Sequence, residues 1–287
     1  MNMRTSVKPP VRKFVMVLIL LSSGCISTTA PAPDPEHPQN APGLFYSYSV
    51  GDCYKIYVGL PKTYSEDHEY PTIYLLDGDW YFDGSHWRID RGGVHGIVSR
   101  LAESGDIPEA IVVGIGYPKE NQRGRDFLGS PVHFYRFLKE ELIPFVDSTY
   151  STQRDGRTLV GHSDGGFFTL YALLRYDPSD IVFSNFISIS GDFSKVDRYL
   201  YTEEMSMYRR LQGELPVALY LAVGKEEEDR FCESNDKMAE KLTSRNYSGF
   251  RFKSIQYYGL HHGSVVAPAV EDGLKWIFLK SADASSG

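Results

Sequence analysis

Apolar residues along this chain fall into short continuous runs that alternate with longer segments of helical periodicity. Tyr46–Val50 and Tyr54–Gly59 alternate apolar and polar residues around Gly51-Asp52, which predicts an antiparallel hairpin. Later apolar runs predict strands, which are Thr72–Leu76, Ala110–Ile115, Arg157–Gly161, Ile181–Ser190, Val217–Val223 and Phe250–Tyr257. Helical spacing predicts helices, which are Val94–Glu103, Val132–Ser148, Phe167–Leu174, Asn235–Arg245 and Val266–Leu279.

The order of these elements predicts an α/β fold. An antiparallel start followed by alternating strands and helices is typical of a mostly parallel central sheet with an antiparallel N-terminal edge and helices on both faces. Of the 287 residues, we assign 44–282 to one such domain and find no internal repeat. The segment 193–215 is polar, contains Tyr and Met, and lies between two predicted strands, so it is a candidate lid.

The N-terminal segment predicts export. Residues 1–24 resemble a signal peptide, since Arg12 and Lys13 precede an apolar run at 14–21 that is too short to cross a bilayer. The residues that end at Cys25 resemble the bacterial lipobox. We therefore expect secretion across the inner membrane and a lipid on Cys25 that anchors the protein facing the periplasm or exterior. Ordinary signal cleavage near the same point is the alternative.

Composition restricts the partners of the mature protein. Residues 25–43 are rich in Pro, Ala, Ser and Thr and predict an extended tether. The first 24 residues hold four of the 30 basic side chains and no acidic one, so 26 basic side chains remain against 37 acidic ones, a net charge of −11. Such an acidic surface repels phosphate backbones, which argues against nucleic acid as a partner.

The cysteines and histidines give no sign of a metal or cofactor. Only Cys53 and Cys232 lie in the predicted domain, one on its antiparallel edge and one after a late strand, so we expect both to be unpaired. No spacing of Cys and His resembles a zinc site, and the chain has no His-Glu-x-x-His motif.

The run Arg157–Gly166 carries the clearest chemical signal. A predicted strand ends in Gly161-His162-Ser163-Asp164-Gly165, and the apolar helix Phe167–Leu174 follows at once. This is the G-x-S-x-G nucleophile elbow in its context of strand, sharp turn and helix, which makes Ser163 a candidate nucleophile. Gly161 and Gly165 are expected where strand and helix cross without room for a Cβ. The alternative is an ordinary glycine-rich turn.

A serine hydroxyl becomes a useful nucleophile only when a histidine takes its proton and a carboxylate orients that histidine. The strand Val217–Val223 leads into four candidate acids, and Asp192 after the preceding strand is a weaker one. Those four are Glu226, Glu227, Glu228 and Asp229. The last strand, Phe250–Tyr257, leads into His261 and His262, one of which is the candidate base.

Developing negative charge on a reacting carbonyl requires backbone amides aimed at it. One candidate is the amide of Asp164, directly after Ser163. The other lies in Asp77-Gly78-Asp79-Trp80, directly after the strand Thr72–Leu76. A carboxylate at Asp164 is electrostatically unfavourable beside an oxyanion unless it points away or pairs with a cation.

Several blocks resemble a family of α/β-hydrolase esterases that includes esterase D, bacterial feruloyl esterases, mycolyltransferases and enterobactin-type siderophore esterases. The blocks are Tyr70–Gly78, Arg125-Asp126-Phe127, Glu140–Phe145, Gly161–Gly166, Gly224-x-x-Glu227 and His262–Val265. The similarity is greatest to the siderophore-esterase branch. The resemblance implies Ser163 as nucleophile, His262 as base, Glu227 as acid and Asp79 as the first oxyanion amide. Many members have Leu or Met where this chain has Asp164.

We therefore expect a secreted serine esterase that acts through an acyl-enzyme on a small-molecule or glycan ester. A siderophore trilactone is one candidate substrate, and a feruloyl or acetyl ester on polysaccharide is another. An acyltransferase and a surface binding protein on a hydrolase fold are the remaining alternatives. Trp80 could stack on a substrate ring or pack at the rim. Arg125 could hold an anionic group or form a salt bridge with Asp126.

Overall fold

The structure is a computed structural model that describes residues 43–84, 92–195 and 197–279, without the side chains of residues 197 and 198. The predicted signal peptide, the predicted lipidation site Cys25 and nearly all of the predicted tether lie outside these residues. Among the described residues, no helix has the length and apolar character that crossing a bilayer requires.

Eight strands form one sheet in the order β1-β2-β4-β3-β5-β6-β7-β8. The first two strands pair antiparallel, β2 pairs antiparallel with β4, and the remaining neighbours are parallel. The strands are β1 (Gly43–Ser47), β2 (Asp52–Gly59), β3 (Thr72–Leu76), β4 (Ile111–Gly116), β5 (Thr158–His162), β6 (Asn185–Ile189), β7 (Ala218–Gly224) and β8 (Arg251–Tyr257). The predicted α/β-hydrolase sheet with an antiparallel edge is confirmed.

Helices cover both faces of the sheet. The α-helices are α1 (Gly78–Tyr81), α2 (Gly93–Glu103), α3 (Pro131–Arg136), α4 (Ile143–Thr149), α5 (Asp164–Leu174), α6 (Asp197–Leu211), α7 (Asp229–Thr243) and α8 (Val266–Phe278). Side chains of α2 and α8 form one core with the sheet, and side chains of α3 to α7 form the other. Every residue of α5 from Gly165 to Leu174 is buried, because this helix is apolar all round and lies in the centre of its layer.

The segment predicted as a helix, Val132–Ser148, is helical, but its hydrogen-bonding pattern changes along its length. A π-helical turn at Phe137–Leu142 separates α3 from α4. Pro144 lies at the start of α4, and a proline there has no N–H to continue the regular bonding pattern. A second π-helical turn, Gly124–Gly129, lies in a segment where the sequence predicts no helix.

Two other segments differ from their predictions because buried polar residues hide the helical pattern. Helix α7 begins at Asp229 rather than at Asn235, and Asn235 is itself buried and bonded to the carbonyls of Gly191 and Phe231. Most of the predicted lid at 193–215 is helix α6, which packs on the core through Leu200, Met207 and Leu211. Its fully buried Glu204 pairs with Arg245, so the polarity of this segment reflects an internal ion pair.

The two cysteines of the domain differ from each other. Cys232 is a free, buried thiol, as expected, and burial raises its pKa. Cys53 is disulfide-bonded, so the expectation of an unpaired thiol is wrong at that position.

Helix α5 lies too close to strands β5 and β6 for side chains at two glycines. A Cβ at Gly161 would lie 2.2 Å from the carbonyl oxygen of Gly165, and a Cβ at Gly166 would lie 2.6 Å from the carbonyl oxygen of Ile189. Gly165 itself is less restricted, since its nearest neighbour to a Cβ would be Asp77 Oδ2 at 3.2 Å. The close crossing therefore requires Gly161, as predicted, together with Gly166.

We predict that Gly161→Ala lowers the free energy of unfolding by about 3 kcal/mol, because the added methyl group meets backbone atoms that cannot move aside. Urea unfolding followed by circular dichroism measures this change. Gly124→Ala is the matched control, since its Cβ would meet nothing within 4 Å, and we expect a change within about 0.5 kcal/mol. Equal effects of the two substitutions would contradict the steric argument.

Candidate active site

Three neighbouring parallel strands end in a residue other than glycine whose backbone is left-handed. Asp77 follows β3 with φ of 54°, Ser163 follows β5 with φ of 60°, and Ser190 follows β6 with φ of 48°. Side chains other than glycine rarely adopt this conformation, and it concentrates at functional sites, where the surrounding structure enforces it. All three turns lie at the carboxyl edge of the sheet, where open α/β sheets bind ligands.

Ser163 lies in a strained turn between β5 and α5. Its φ of 60° and ψ of −120° reverse the chain sharply. Its amide donates to the carbonyl of Ile189 at 2.9 Å, and its carbonyl accepts from the amide of Phe167 at 2.9 Å. Strand, turn and helix therefore have the arrangement of the predicted elbow, and the residue lines an open cleft.

Glu227 and His262 form a short contact beside Ser163. The Nδ1 atom of His262 lies 2.6 Å from Glu227 Oε2, and the Glu227 side chain is fully buried. Its other oxygen, Oε1, accepts bonds from the hydroxyl of Ser190 at 2.5 Å and from the amide of Gly224 at 2.7 Å. Both carboxylate oxygens are thus bonded, which fixes the carboxylate and leaves Nε2 of the imidazole for contacts in the cleft.

The other candidate acids have different contacts. In the described part of the chain, Glu228 pairs with Arg230 and Asp229 opens helix α7. The described bonds of Glu226 come from its backbone: its carbonyl lies 3.0 Å from Nδ1 of His261, and its amide donates to the carbonyl of Leu260 at 3.1 Å. The buried Asp192 accepts bonds from Ser194 at 2.5 and 3.2 Å. Among these side chains the geometry therefore singles out Glu227.

The His262 ring is held between two other rings. Its centroid lies 4.4 Å from that of His162 and 4.5 Å from that of Phe231. His162 is itself buried, and its Nδ1 lies 2.8 Å from the hydroxyl of Tyr81. Packing and the Glu227 contact together restrict the orientation of the imidazole.

The amides of Asp79 and Asp164 lie in the first turns of α1 and α5, which follow the adjacent strands β3 and β5. Among the described residues, neither amide donates to another protein group. Free first-turn amides of this kind favour an anion. The two positions predicted for the oxyanion amides therefore lie at neighbouring strand ends with their N–H groups available.

The Asp79 carboxylate anchors its own turn. It accepts bonds from the Tyr57 hydroxyl at 2.6 Å and from the Tyr117 amide at 2.5 Å, and Lys55 lies 3.4 Å away. Burial and this bond to the carboxylate raise the pKa of Tyr57, so its phenol stays a donor. Gly116 leaves the space that the carboxylate occupies, since a Cβ there would lie 2.4 Å from Asp79 Oδ2.

The Asp164 carboxylate pairs with two cations, which is the condition that its position beside an oxyanion imposes. Arg123 Nη1 lies 3.0 Å from one carboxylate oxygen, and Lys195 Nζ lies 3.0 Å from the other. The two cations offset the negative charge that would otherwise oppose an oxyanion at this turn.

A family model described as "Putative esterase" matches residues 47–276, which is most of the chain. The chain belongs to this esterase family. Together with the relatives below, this makes the protein a carboxylic ester hydrolase.

Relatives of the esterase span most of its length. It is 27% identical over 262 residues to the ferri-bacillibactin esterase BesA of Bacillus subtilis. The aligned region covers 81% of this chain and 87% of the relative. A crystal structure of the BES protein from Bacillus cereus aligns with a TM-score of 0.73 at 26% identity, over 88% of this chain and 99% of that one. An endo-1,4-beta-xylanase/feruloyl esterase of Xylanibacter ruminicola is 30% identical over 139 residues, which is 46% of this chain and 19% of the relative.

Arg125 does not line the cleft of the esterase. Its guanidinium bonds to Asp126 at 2.6 Å and to Asp52 at 2.7 Å, and this interaction makes its pKa higher than usual. The Asp126 carboxylate also accepts bonds from the hydroxyls of Tyr54 and Tyr117. The salt-bridge interpretation of Arg125 fits these contacts, and a role in substrate binding stays a prediction.

Trp80 packs behind Arg123, which lines the cleft. Its ring packs against the Arg123 guanidinium, whose central carbon lies 5.1 Å from the ring centroid, and it also contacts the core beneath α1. The packing interpretation fits this placement. Trp80 thus supports Arg123, which lines the cleft, and its stacking on a substrate ring stays a prediction.

Arg123 is the residue of the site that the sequence interpretation missed. It precedes Arg125 by two positions in the segment Gln122–Phe127, and two arginines so close together cannot be distinguished by pattern alone. The available signal was the pair of acidic residues at the predicted turns, Asp77 and Asp164. Each carboxylate needs a cation as a partner, and Arg123 is that cation in the structure.

The cleft measures about 460 Å³ and has charged walls. Three cations and four carboxylates accompany the two histidines and the serine. The lining residues are Arg123, Ser163, Asp164, Lys195, Glu226, Glu227, Glu228, Arg230, Phe231, His261 and His262. Its size and charged walls suit a polar ester better than a long hydrocarbon chain.

Proposed function

We propose that the esterase works through a Ser163-His262-Glu227 triad. Ser163 Oγ forms a bond to the ester carbonyl carbon while Nε2 of His262 takes its proton. The tetrahedral intermediate collapses, the bond to the leaving alcohol breaks, and His262 donates its proton to that alcohol. Water then attacks the acyl-enzyme by the same path and releases the acid.

The observation that carries this proposal is the contact between His262 Nδ1 and the buried carboxylate of Glu227 at 2.6 Å. A carboxylate in this position stabilises the imidazolium that forms when Ser163 loses its proton. The amides of Asp79 and Asp164 lie where the carbonyl oxygen acquires charge. Neutralisation of Asp164 by Arg123 supports the same role.

We predict that Ser163→Ala and His262→Ala each lower kcat for p-nitrophenyl acetate by about 1,000-fold or more, because each removes a part that the others cannot replace. A fluorophosphonate probe should label wild type and fail to label Ser163→Ala. Ser264→Ala is a useful control, since Ser264 lies in the same loop and bonds to His261 rather than His262. Labelling of Ser163→Ala at the wild-type rate would contradict the assignment.

We propose an iron-loaded catecholate trilactone as the substrate class. Support comes from the relative named as a ferri-bacillibactin esterase, which aligns over most of both chains. Lys195 and Arg230 lie on the cleft walls together with four carboxylates, and these two cations would favour an anionic ferric catecholate. The ester bonds of the lactone ring are the bonds that the triad would cleave.

A feruloyl ester on polysaccharide is the second candidate. Support comes from the xylanase/feruloyl esterase relative, although it aligns over only 46% of this chain. A feruloyl group is neutral, so it gains less from Lys195 and Arg230 than a ferric catecholate does.

The two candidate substrates can be distinguished by the ratio of the kcat/KM values that the esterase has for them. We predict a kcat/KM at least about 100-fold higher for a ferric catecholate trilactone than for methyl ferulate, corresponding to about 3 kcal/mol of differential transition-state binding. Product analysis with added alcohol tests for acyl transfer at the same time. A higher kcat/KM for methyl ferulate would reverse the assignment, and ester products in place of acids would indicate an acyltransferase.

We propose that the esterase is exported and lipid-anchored through Cys25. The lipobox-like residues that end at Cys25 support the anchor. The disulfide bond of Cys53 supports export alone, since disulfides persist in oxidising compartments but a disulfide at Cys25 would exclude the lipid. We expect the mature protein to begin at Cys25 and to fractionate with membranes. Intact-mass measurement without reductant distinguishes a lipid thioether at Cys25 from a Cys25 thiol in a disulfide, and the latter result would overturn the anchor.

A further inference from the structure

Arg123 lies between the turns that carry the Asp79 and Asp164 amides, and its side chain is only 16% exposed. Its Nε and Nη2 atoms bond to the two carboxylate oxygens of Asp77 at 2.9 and 3.1 Å. Nη1 donates to Asp164 Oδ2 at 3.0 Å, and Nη2 also donates to the carbonyl of His162 at 3.1 Å. We propose that Arg123 is a positioning residue that fixes the two oxyanion amides relative to each other.

The sheet alone does not hold these turns together. The pairing of β3 with β5 ends at Leu75 and Val160. Beyond this pair Asp77 turns away with its left-handed backbone. Arg123 binds the Asp77 side chain on one strand end and the His162 carbonyl on the other. It therefore continues the connection between the two strands past the last ladder pair, up to the residues that carry the amides.

Charge keeps Arg123 in this place. The Asp77 side chain is fully buried, and a buried carboxylate without a cation is strongly unfavourable. Burial alone would lower the pKa of Arg123, but Asp77 and Asp164 outweigh this effect and raise it. The guanidinium therefore stays charged at every pH at which the protein is folded.

Only arginine has the donor geometry for this role. A guanidinium presents five N–H groups in a rigid plane, and four of the five are used in the bonds described above. A lysine ammonium donates from one point and cannot hold Asp77, Asp164 and the His162 carbonyl together. With its N–H groups committed to the protein, Arg123 acts on the oxyanion through the two turns rather than by binding the substrate.

The test separates positioning from folding by counting competent sites. Arg123→Lys keeps the positive charge and removes the planar set of guanidinium N–H donors. We expect its kcat per active site, counted by the end point of fluorophosphonate titration, to fall about 10- to 100-fold, because small displacements of oxyanion donors have effects of this size. KM should stay within about twofold of wild type, since ground-state binding does not use the oxyanion amides.

Arg245→Lys is the matched control. Arg245 forms the same fork on a fully buried carboxylate, Glu204, at 2.6 and 2.7 Å, and its side chain is 13% exposed. It follows the end of α7, pairs with a residue of α6 and is not among the residues that line the cleft. We expect a lower Tm and an unchanged kcat per titrated site. If Arg123→Lys behaves in the same way, Arg123 is structural and the proposal is wrong.

A second variant covers the case in which Arg123→Lys does not fold. Asp77→Asn keeps the shape of the side chain and weakens the same contact, so we expect a similar loss of kcat with KM preserved. Where both single variants fold, the double variant should be no slower than the slower single one, because both changes break one interaction. A kcat per titrated site at the wild-type value for Asp77→Asn, or multiplied losses in the double variant, would also overturn the proposal.

This inference rests on the proposed serine mechanism, and the two fail in different ways. If Ser163→Ala keeps wild-type turnover, the serine mechanism itself is wrong. If Ser163→Ala is inactive and Arg123→Lys turns over normally per titrated site, the serine mechanism stands and the positioning role of Arg123 falls.

Discussion

The site depends on the hydrogen bonds that the buried carboxylate of Glu227 accepts. It bonds to His262 from the loop after β8, to Ser190 at the end of β6 and to the Gly224 amide at the end of β7. One side chain thus ties three strand ends to each other and directs the imidazole. An unpaired carboxylate in this position would be strongly unfavourable, so its partners are required by folding as well as by chemistry.

The same principle acts on the other side of the cleft. Asp77 and Asp164 bring negative charge to the two turns where an oxyanion would form, and Arg123 and Lys195 offset it. In both halves of the site, the stability of the fold and the proposed chemistry therefore require the same contacts. Buried carboxylates require partners, and those partners also fix the groups that face the substrate.

Local pattern predicted much of this structure, because strand and helix periodicity and the G-x-S-x-G turn are determined by neighbouring residues. Choosing Glu227 among four consecutive acids needed the family resemblance. In the structure, Glu227 is the one of these four acids whose side chain has a described contact with His262. Arg123, the long α7 and the packed α6 were not predictable from periodicity. Each depends on a buried polar group, such as Asp77, Asn235 or Glu204, whose partner lies far away in the chain.

The left-handed backbone at Asp77, Ser163 and Ser190 has an evolutionary consequence. Glycine would adopt these conformations with less backbone strain, but at Asp77 and Ser190 it would also remove a partner of a buried charged group. Each replacement would also delete a side chain that the chemistry or its scaffold uses, for example the Ser190 hydroxyl that holds Glu227. Relief of backbone strain at these turns therefore comes with a lost contact, and useful stabilisation has to come from elsewhere in the fold.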